Sequence, residues 1–370
     1  MKQLFLLSLI ISISNCSFQL NLFQKLNTLT SSGLNIIISP ISIYQAISLS
    51  GNGALGKTKS EIIKALNNTN ITNINKENEK IIKAASKMES LQIANAIFTK
   101  TTPKKTFTSK AEKFNSYIDK LTSVDQVNNW VSKKTNKKIT NIINSISNIE
   151  FLIVNAVYFK NQWSHPFTKS STKKDYFHIN SSKNVSVDMM KTKTKFSYYE
   201  NNEVQVVNLP YKKDSMSAII ILPKKNVNLD TYIKNLSDKK LNIIFGNLIN
   251  SMVTLKLPKF KLNYSNKLNA VMQKLGMTSA FSSKLANFTE ISNTKNLFID
   301  SIMHKTYLNV DELGTEAAAV TSTSALGSSP MKLKEVEMNV NKPFLFFIRN
   351  TNLKSNFQLL FMAKIENPLK

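Results

Sequence analysis

Cysteine is all but absent: Cys16 is the only one in 370 residues. No disulfide framework or cysteine-ligated metal site can hold this chain. Glycine and proline are scarce as well, at 8 and 9. No Pro/Gly/Ser-rich linker divides the chain and no internal repeat runs through it, so one large domain is expected. The three histidines, His165, His178 and His304, have no metal-ligand spacing, and no serine sits in a G-x-S-x-G elbow. Neither a metal nor a catalytic group is therefore expected. Arg349 is the only arginine, which argues against specific nucleic-acid recognition, because base and phosphate readers rely on the guanidinium fork.

What the chain does have is apolar mass and positive charge. At 42% hydrophobic it can bury a sizeable core. Its net charge of +26 would draw polyanions, although a solvated lysine-rich surface accounts for it as well. Met1 and Lys2 precede an apolar run from Leu4 to Ile13. That run is too short to cross a bilayer but suits a secretory leader, so residues 1–16 read as a signal peptide and 17–370 as the mature domain. No later segment is apolar enough to span a membrane. Asn67, Asn70, Asn180, Asn184, Asn235, Asn263 and Asn287 each open an N-x-[ST] sequon, many of which chance alone would supply in so asparagine-rich a chain.

The first third reads as helical. Ser39 is placed to cap a helix over Ile43 to Leu49, and helical spacing recurs over 58–66, 77–88, 108–121 and 124–143. Leu91 to Phe98 and the apolar run Phe151 to Phe159 read as strands. Beyond them come strands at 204–209 and 218–222, a helix over 229–249, an extended stretch over 252–262, and a helix over 265–275 closed by Gly276. Extended stretches follow at 297–310 and 343–362. Helices followed by many strands, without regular alternation, predict a mixed α+β fold.

Two segments invite a functional reading. Gly51 to Thr58 matches the phosphate-loop pattern G-x-x-x-x-G-K-[ST], the mark of a nucleotide-binding ATPase. That loop needs a buried strand before it, and the residues from Ile43 to Leu49 have helical spacing instead, so a turn between helices is the expectation. The stretch Asp311 to Pro330 is more unusual. It is long for a loop in a compact domain, carries one charge from Gly314 onward, Glu316, and has no proline before Pro330. Read as a strand, one face presents only small residues: Thr315, Ala317, Ala319, Thr321, Thr323 and Ala325.

Together these residues resemble the serpin family over nearly the whole mature chain. Asp311 to Ala319 (Asp-Glu-Leu-Gly-Thr-Glu-Ala-Ala-Ala) is similar to the family's hinge, and Phe151 to Lys160 with Trp163 and Pro166-Phe167 resembles its central strand. Asn129-Trp130-Val131, Leu257-Pro258-Lys259-Phe260, Leu275-Gly276-Met277, Asn341-Lys342-Pro343-Phe344 and Asn367-Pro368 follow in the family's order. The resemblance implies three β-sheets, eight to nine helices and an exposed reactive-centre loop at about 313–334. It implies a monomeric, secreted inhibitor that needs no cofactor. A target serine protease would be trapped as a covalent acyl complex, a host enzyme if the source is a parasite. No membrane and no specific nucleic acid would be bound.

By the same resemblance Glu312, Gly314, Thr315, Glu316, Ala317, Ala318 and Ala319 form the hinge. Trp163, Lys259 and Glu312 stand where insertion begins, and Ser39, Ser42, Asn155 and His304 form a polar cluster controlling sheet opening. Lys76, Lys80, Lys83 and Lys87 fall on a helix that some relatives use for heparin-like glycosaminoglycans, with Glu77, Glu79 and Glu89 interleaved. Family spacing counted from Glu312 puts the cleaved bond at Ser328–Ser329. Counting back from Pro343 gives Lys332, and Met331 and Lys334 are further alternatives. A non-inhibitory relative or an inhibitor of cysteine proteases is the same-fold alternative. A phosphate-loop NTPase and a basic polyanion-binding module are the alternatives of other classes.

Overall fold

The structure, a computed structural model, describes residues 17–294, 296–315, 333–353 and 358–370. Nine α-helices and sixteen strands form among these residues, and the strands make two hydrogen-bonded sheets.

The strand Phe151–Phe159 is buried at every position, as its unbroken apolar run requires of a strand covered on both faces. It stands at the centre of a seven-stranded sheet. On one side it pairs antiparallel with Leu91–Thr99, which pairs in parallel with Tyr117–Lys120. On the other it pairs in parallel with Ser301–Asp311, from Ser301 opposite Leu152 to Tyr307 opposite Tyr158. Phe260–Lys267 closes that edge. The sheet separates two cores. In front, the helix Val124–Lys134 packs Val127 and Val131 over Ala94, Ala96, Phe98, Leu152, Val154, Ala156 and Tyr158. Behind lies the larger core, crossed by the almost wholly buried helix Pro40–Asn52.

The other sheet has nine strands. The expected second and third sheets are continuous here because one strand, Lys183–Glu200, is eighteen residues long. It pairs in turn with Lys173–Asn180, Ile249–Pro258 and Val204–Pro210. Glu335–Asn339, just beyond the long loop, runs parallel to Ile249–Pro258. The C-terminal strands Phe344–Asn350 and Leu359–Ile365 lie in the middle of this sheet, against Met216–Pro223 and Ile36–Ile38.

Several expected helices are shorter than their spacing suggests. The helix capped by the Ser123 side chain ends at Lys134, because Asn136 and Lys137 take φ of 49° and 58°. Ile139, Ile142 and Ile143 still join the front core, but from an extended linker held by Asn128, whose Oδ1 accepts from Ile142 N (2.8 Å) and Ile143 N (3.2 Å). The stretch 108–121 divides at Asn115 (φ 48°) into the helix Lys105–Lys113 and the strand Tyr117–Lys120. The stretch 229–249 divides into Leu229–Lys234 and Asp238–Gly246, where Ser237 caps the second helix. The last of them starts late: Ser265 to Lys267 remain in a strand and the helix is Asn269–Lys274.

The phosphate-loop lookalike joins two helices, Pro40–Asn52 and Gly56–Ala65, with no strand before it. Its glycine Gly53 is there for packing: an added Cβ would lie 2.3 Å from Ile291 Cγ1 and 2.9 Å from Phe107 Cε2. Gly53→Ala is therefore expected to lower stability by about 1–3 kcal/mol through overpacking. A fall in the urea midpoint of unfolding checks this, and an unchanged midpoint would show that Ile291 yields without penalty.

Candidate functional site

The two central parallel strands diverge at their upper ends, and the start of the long loop fills the gap. Gly314–Thr315 forms a two-residue strand antiparallel to both neighbours. Thr315 lies opposite Val310 on one side and Asn161 on the other, and Gly314 lies opposite Gln162. Glycine is required there: φ is 155°, and an added Cβ would meet the Asn161 carbonyl oxygen at 2.2 Å. Thr315 is fully buried, with its Oγ1 2.7 Å from the Tyr211 hydroxyl. Burial pushes the Tyr211 phenol up, so that hydroxyl stays protonated.

Trp163 fixes the turn that feeds this strand. Its indole Nε1 donates to Asp311 O (2.9 Å), its backbone N–H donates to Leu313 O (2.9 Å), and its ring stacks on Tyr211 with centroids 4.5 Å apart. Lys259 Nζ lies 2.9 Å from Glu312 Oε2, and the Thr172 hydroxyl donates to Glu312 Oε1 at 2.8 Å. Burial alone would raise the Glu312 carboxyl. The Lys259 ammonium, its own backbone amide and Thr172 outweigh burial and hold it below the ordinary carboxylate range. Tyr211 and Thr172 had no signal in the sequence, since their roles come only from the turn they pack against.

Lower on the same seam, Asn155 and His304 face each other across the paired strands. Asn155 Nδ2 donates to Ser42 Oγ and to Asn95 Oδ1. His304 Nε2 accepts from the backbone N–H of Ser39 at 3.4 Å, so Nδ1 carries the proton and donates to Asn155 Oδ1. Ser39 thus joins through its backbone; its hydroxyl has no hydrogen-bond partner among the described residues. Asn95 is a member that sequence reading missed, although a polar residue inside the apolar strand Leu91–Thr99 marks it. Burial drives His304 down to about 3, so the buried ring is neutral.

Glu316, Ala317, Ala318, Ala319, Ser328, Ser329, Met331 and Lys332 lie outside the described residues. Lys334, at the far end of the loop, is already tied into the sheet: its carbonyl accepts from Met252 N (2.9 Å) and its Nζ pairs with Glu200 at 3.0 Å. A bond at Lys334 would have to leave those contacts to enter a protease cleft.

Lys76, Lys80 and Lys83 project from the helix Ile71–Ala85, with Lys87 just past its end, and all four are exposed. Of the interleaved acids, Glu77 turns inward to Tyr44 and Asn68, and Glu89 pairs with Lys213. Lys80, Lys83 and Lys87 border a cleft of about 500 Å³ closed by Met88, Asp214, Asn350 and Leu353.

Such a molecule has two central strands paired directly along most of their length and a two-residue rung, Gly314–Thr315, seated at one end between Ser301–Asp311 and Asn161–Gln162. The family description "Serpin (serine protease inhibitor)" matches residues 13–368. Human Serpin B11 is 32% identical, with 97% of this chain and 99% of that protein covered. The leukocyte elastase inhibitor of Xenopus laevis is also 32% identical, over 95% and 97%. Among solved structures, the thermophilic serpin tengpin in its native state superposes with a TM-score of 0.86 at 32% identity, covering 96% of this chain and 94% of that one. The chain belongs to the serpin family.

Because His304 is neutral when folded and titrates near 6.5 when unfolded, the folded state loses stability as pH falls from about 6.5 toward about 3. Thermal melting across that range should show a falling midpoint that flattens in His304→Asn. An equal slope in the variant would assign the acid sensitivity to other groups.

Proposed function

We propose that this chain is a secreted, monomeric inhibitor that traps serine proteases as a suicide substrate. The observation that carries the reading is Gly314–Thr315, already seated as the first rung between the two central strands. A protease serine attacks a loop carbonyl and forms an acyl-enzyme. The peptide bond breaks and the new amino terminus stays on the segment leading into the strand Glu335–Asn339, which remains paired in its sheet. The freed segment can then continue downward from Thr315 toward His304, replacing the direct pairing of the central strands with two antiparallel ladders. Each net hydrogen bond contributes roughly 1 kcal/mol, and the buried small side chains add to that, so a full-length strand releases enough free energy to distort the attached enzyme before water completes hydrolysis.

Thr315 is small enough to enter the sheet. That favours inhibition over a non-inhibitory role, in which large or charged hinge residues would be tolerated. In this reading the Lys259–Glu312 pair and Trp163 guard the point of entry. Asn155 and His304 hold the lower seam shut. The cleaved bond is Ser328–Ser329, which suits an elastase- or subtilisin-like target, and residues 1–16 direct export. The lysine stripe of Lys76, Lys80, Lys83 and Lys87 would take a sulfated polyanion, since inward Glu77 leaves it less neutralised. Retention on immobilised heparin that survives physiological salt and drops in a Lys80→Ala/Lys83→Ala variant would support this; unchanged retention would assign binding to the general charge.

The main test is incubation with trypsin, chymotrypsin, elastase and subtilisin. Complexes that survive denaturation, and a cleaved form that melts above the intact one, are expected; the mass of the released C-terminal fragment gives the bond. Thr315→Arg, which cannot bury its charge at this site, should be cut without trapping. Simple digestion of the wild-type chain by all four enzymes would favour the non-inhibitory alternative, whereas trapping of papain instead would favour the cysteine-protease one.

A further inference from the structure

The sequons are the one feature of the sequence that the inhibitory machinery does not absorb, and their placement is not random. Among the described residues the sequon asparagines Asn67, Asn70, Asn180, Asn184, Asn235, Asn263 and Asn287 are all exposed, whereas fewer than half of the other described asparagines are. Asn78, Asn95, Asn128, Asn155, Asn161, Asn350 and Asn367 are buried, and none of them opens a sequon. Chance occurrence in an asparagine-rich chain would have distributed sequons over both groups.

Two of the seven also hold the geometry in which the hydroxyl two residues on engages the asparagine side chain. Asn180 Oδ1 accepts from both the backbone N–H and the hydroxyl of Ser182, each at 3.0 Å. Asn287 Oδ1 accepts from Thr289 N (3.3 Å) and Thr289 Oγ1 (2.8 Å). These turns span three residues and need no tertiary contact, so they can form in the nascent chain as well as in the folded protein. In both, Oδ1 takes the hydrogen bonds of the turn, and the asparagine is exposed.

From this we infer that the chain carries N-linked oligosaccharide at Asn180 and Asn287. The inference rests on the proposed export, because the donor is a lipid-pyrophosphate-linked oligosaccharide of the secretory pathway. In the transfer, Asn Nδ2 forms a bond to the anomeric carbon of the sugar. The sugar–phosphate bond breaks, the lipid pyrophosphate leaves with its electron pair, and one amide proton is lost to a base. Oδ1 remains, so the two turns survive modification. Asn184 shares a hairpin with Asn180, across the pairing of Asn180 with Lys183, and two glycans that close would crowd each other. Asn180 is the one held in the turn. Neither Asn180 nor Asn287 lies on the two central strands or at Thr315, so the sugars leave strand insertion free.

The full chain, with its own first sixteen residues, is expressed in a eukaryotic secretory host and collected from the medium. Its mass before and after peptide N-glycosidase F is compared, and the asparagines converted to aspartate are mapped in ¹⁸O water. More than half occupancy at Asn180 and Asn287 is expected. Ser182→Ala and Thr289→Ala should each remove one glycan, while Ser182→Thr and Thr289→Ser keep it. A secreted chain of unchanged mass, or one with both asparagines unlabelled, overturns the inference. If the chain is retained in the cells, it is the export reading that fails. Residues 17–370 behind a heterologous leader then give the same occupancy readout, with the same outcomes deciding.

Discussion

The structure depends on one pairing: the parallel ladder between Phe151–Phe159 and Ser301–Asp311. Both strands satisfy their backbone groups through each other, as buried strands must. Just above it, Gly314–Thr315 is seated antiparallel between Ser301–Asp311 and Asn161–Gln162. The closed ladder satisfies the hydrogen bonding of both strands. What keeps it in place is local. Trp163 and Tyr211 fix the two seated residues above, and the contacts among His304, Asn155, Asn95 and Ser42 bind the strands below. Polar groups suit this task better than apolar ones. A buried hydrogen-bonded cluster has one satisfactory arrangement and is costly to leave half-made, so the sheet is either shut or open with little in between.

Glu312 links the two levels of control. It lies in the turn between the strand Ser301–Asp311 and the seated rung, and its carboxylate is held by a lysine from the first residue beyond another strand, Ile249–Pro258. A shift of the central strand must therefore strain an ion pair whose acid is buried, and that acid is ionised because Lys259 and Thr172 reach it. The front helix Val124–Lys134 adds a steric condition. It and the linker pinned by Asn128 cover the sheet face, so any widening of the seam has to move them.

Much of this was legible in the sequence, and the reasons are specific. The run Phe151 to Phe159 reads as a fully buried strand, and it is buried at every position; the small-residue alternation beyond Thr315 lies outside the described residues. Gly314 and Thr315 were named as hinge residues, and the structure seats both in the sheet. Helix ends were less legible. Asn115, Asn136 and Lys137 adopt left-handed backbone that no spacing of apolar residues announces, and Ile139, Ile142 and Ile143 keep a helical spacing while packing from an extended linker. Asn95, Tyr211 and Thr172 escaped because each acquires its partner through tertiary approach from a different element. The sheet count differs for a related reason: one eighteen-residue strand pairs with Lys173–Asn180, Ile249–Pro258 and Val204–Pro210 and so joins two expected sheets.

The position of the last strands has a consequence for how this molecule survives being cut. Everything after the loop, from Glu335 onward, includes Phe344–Asn350 and Leu359–Ile365, woven into the middle of the nine-stranded sheet with nearly every side chain buried. Scission anywhere between Thr315 and Glu335 leaves a short tail peptide that has no route out short of dismantling the rear core. The nicked protein is a two-chain particle that travels as one, and its halves part company only in denaturant.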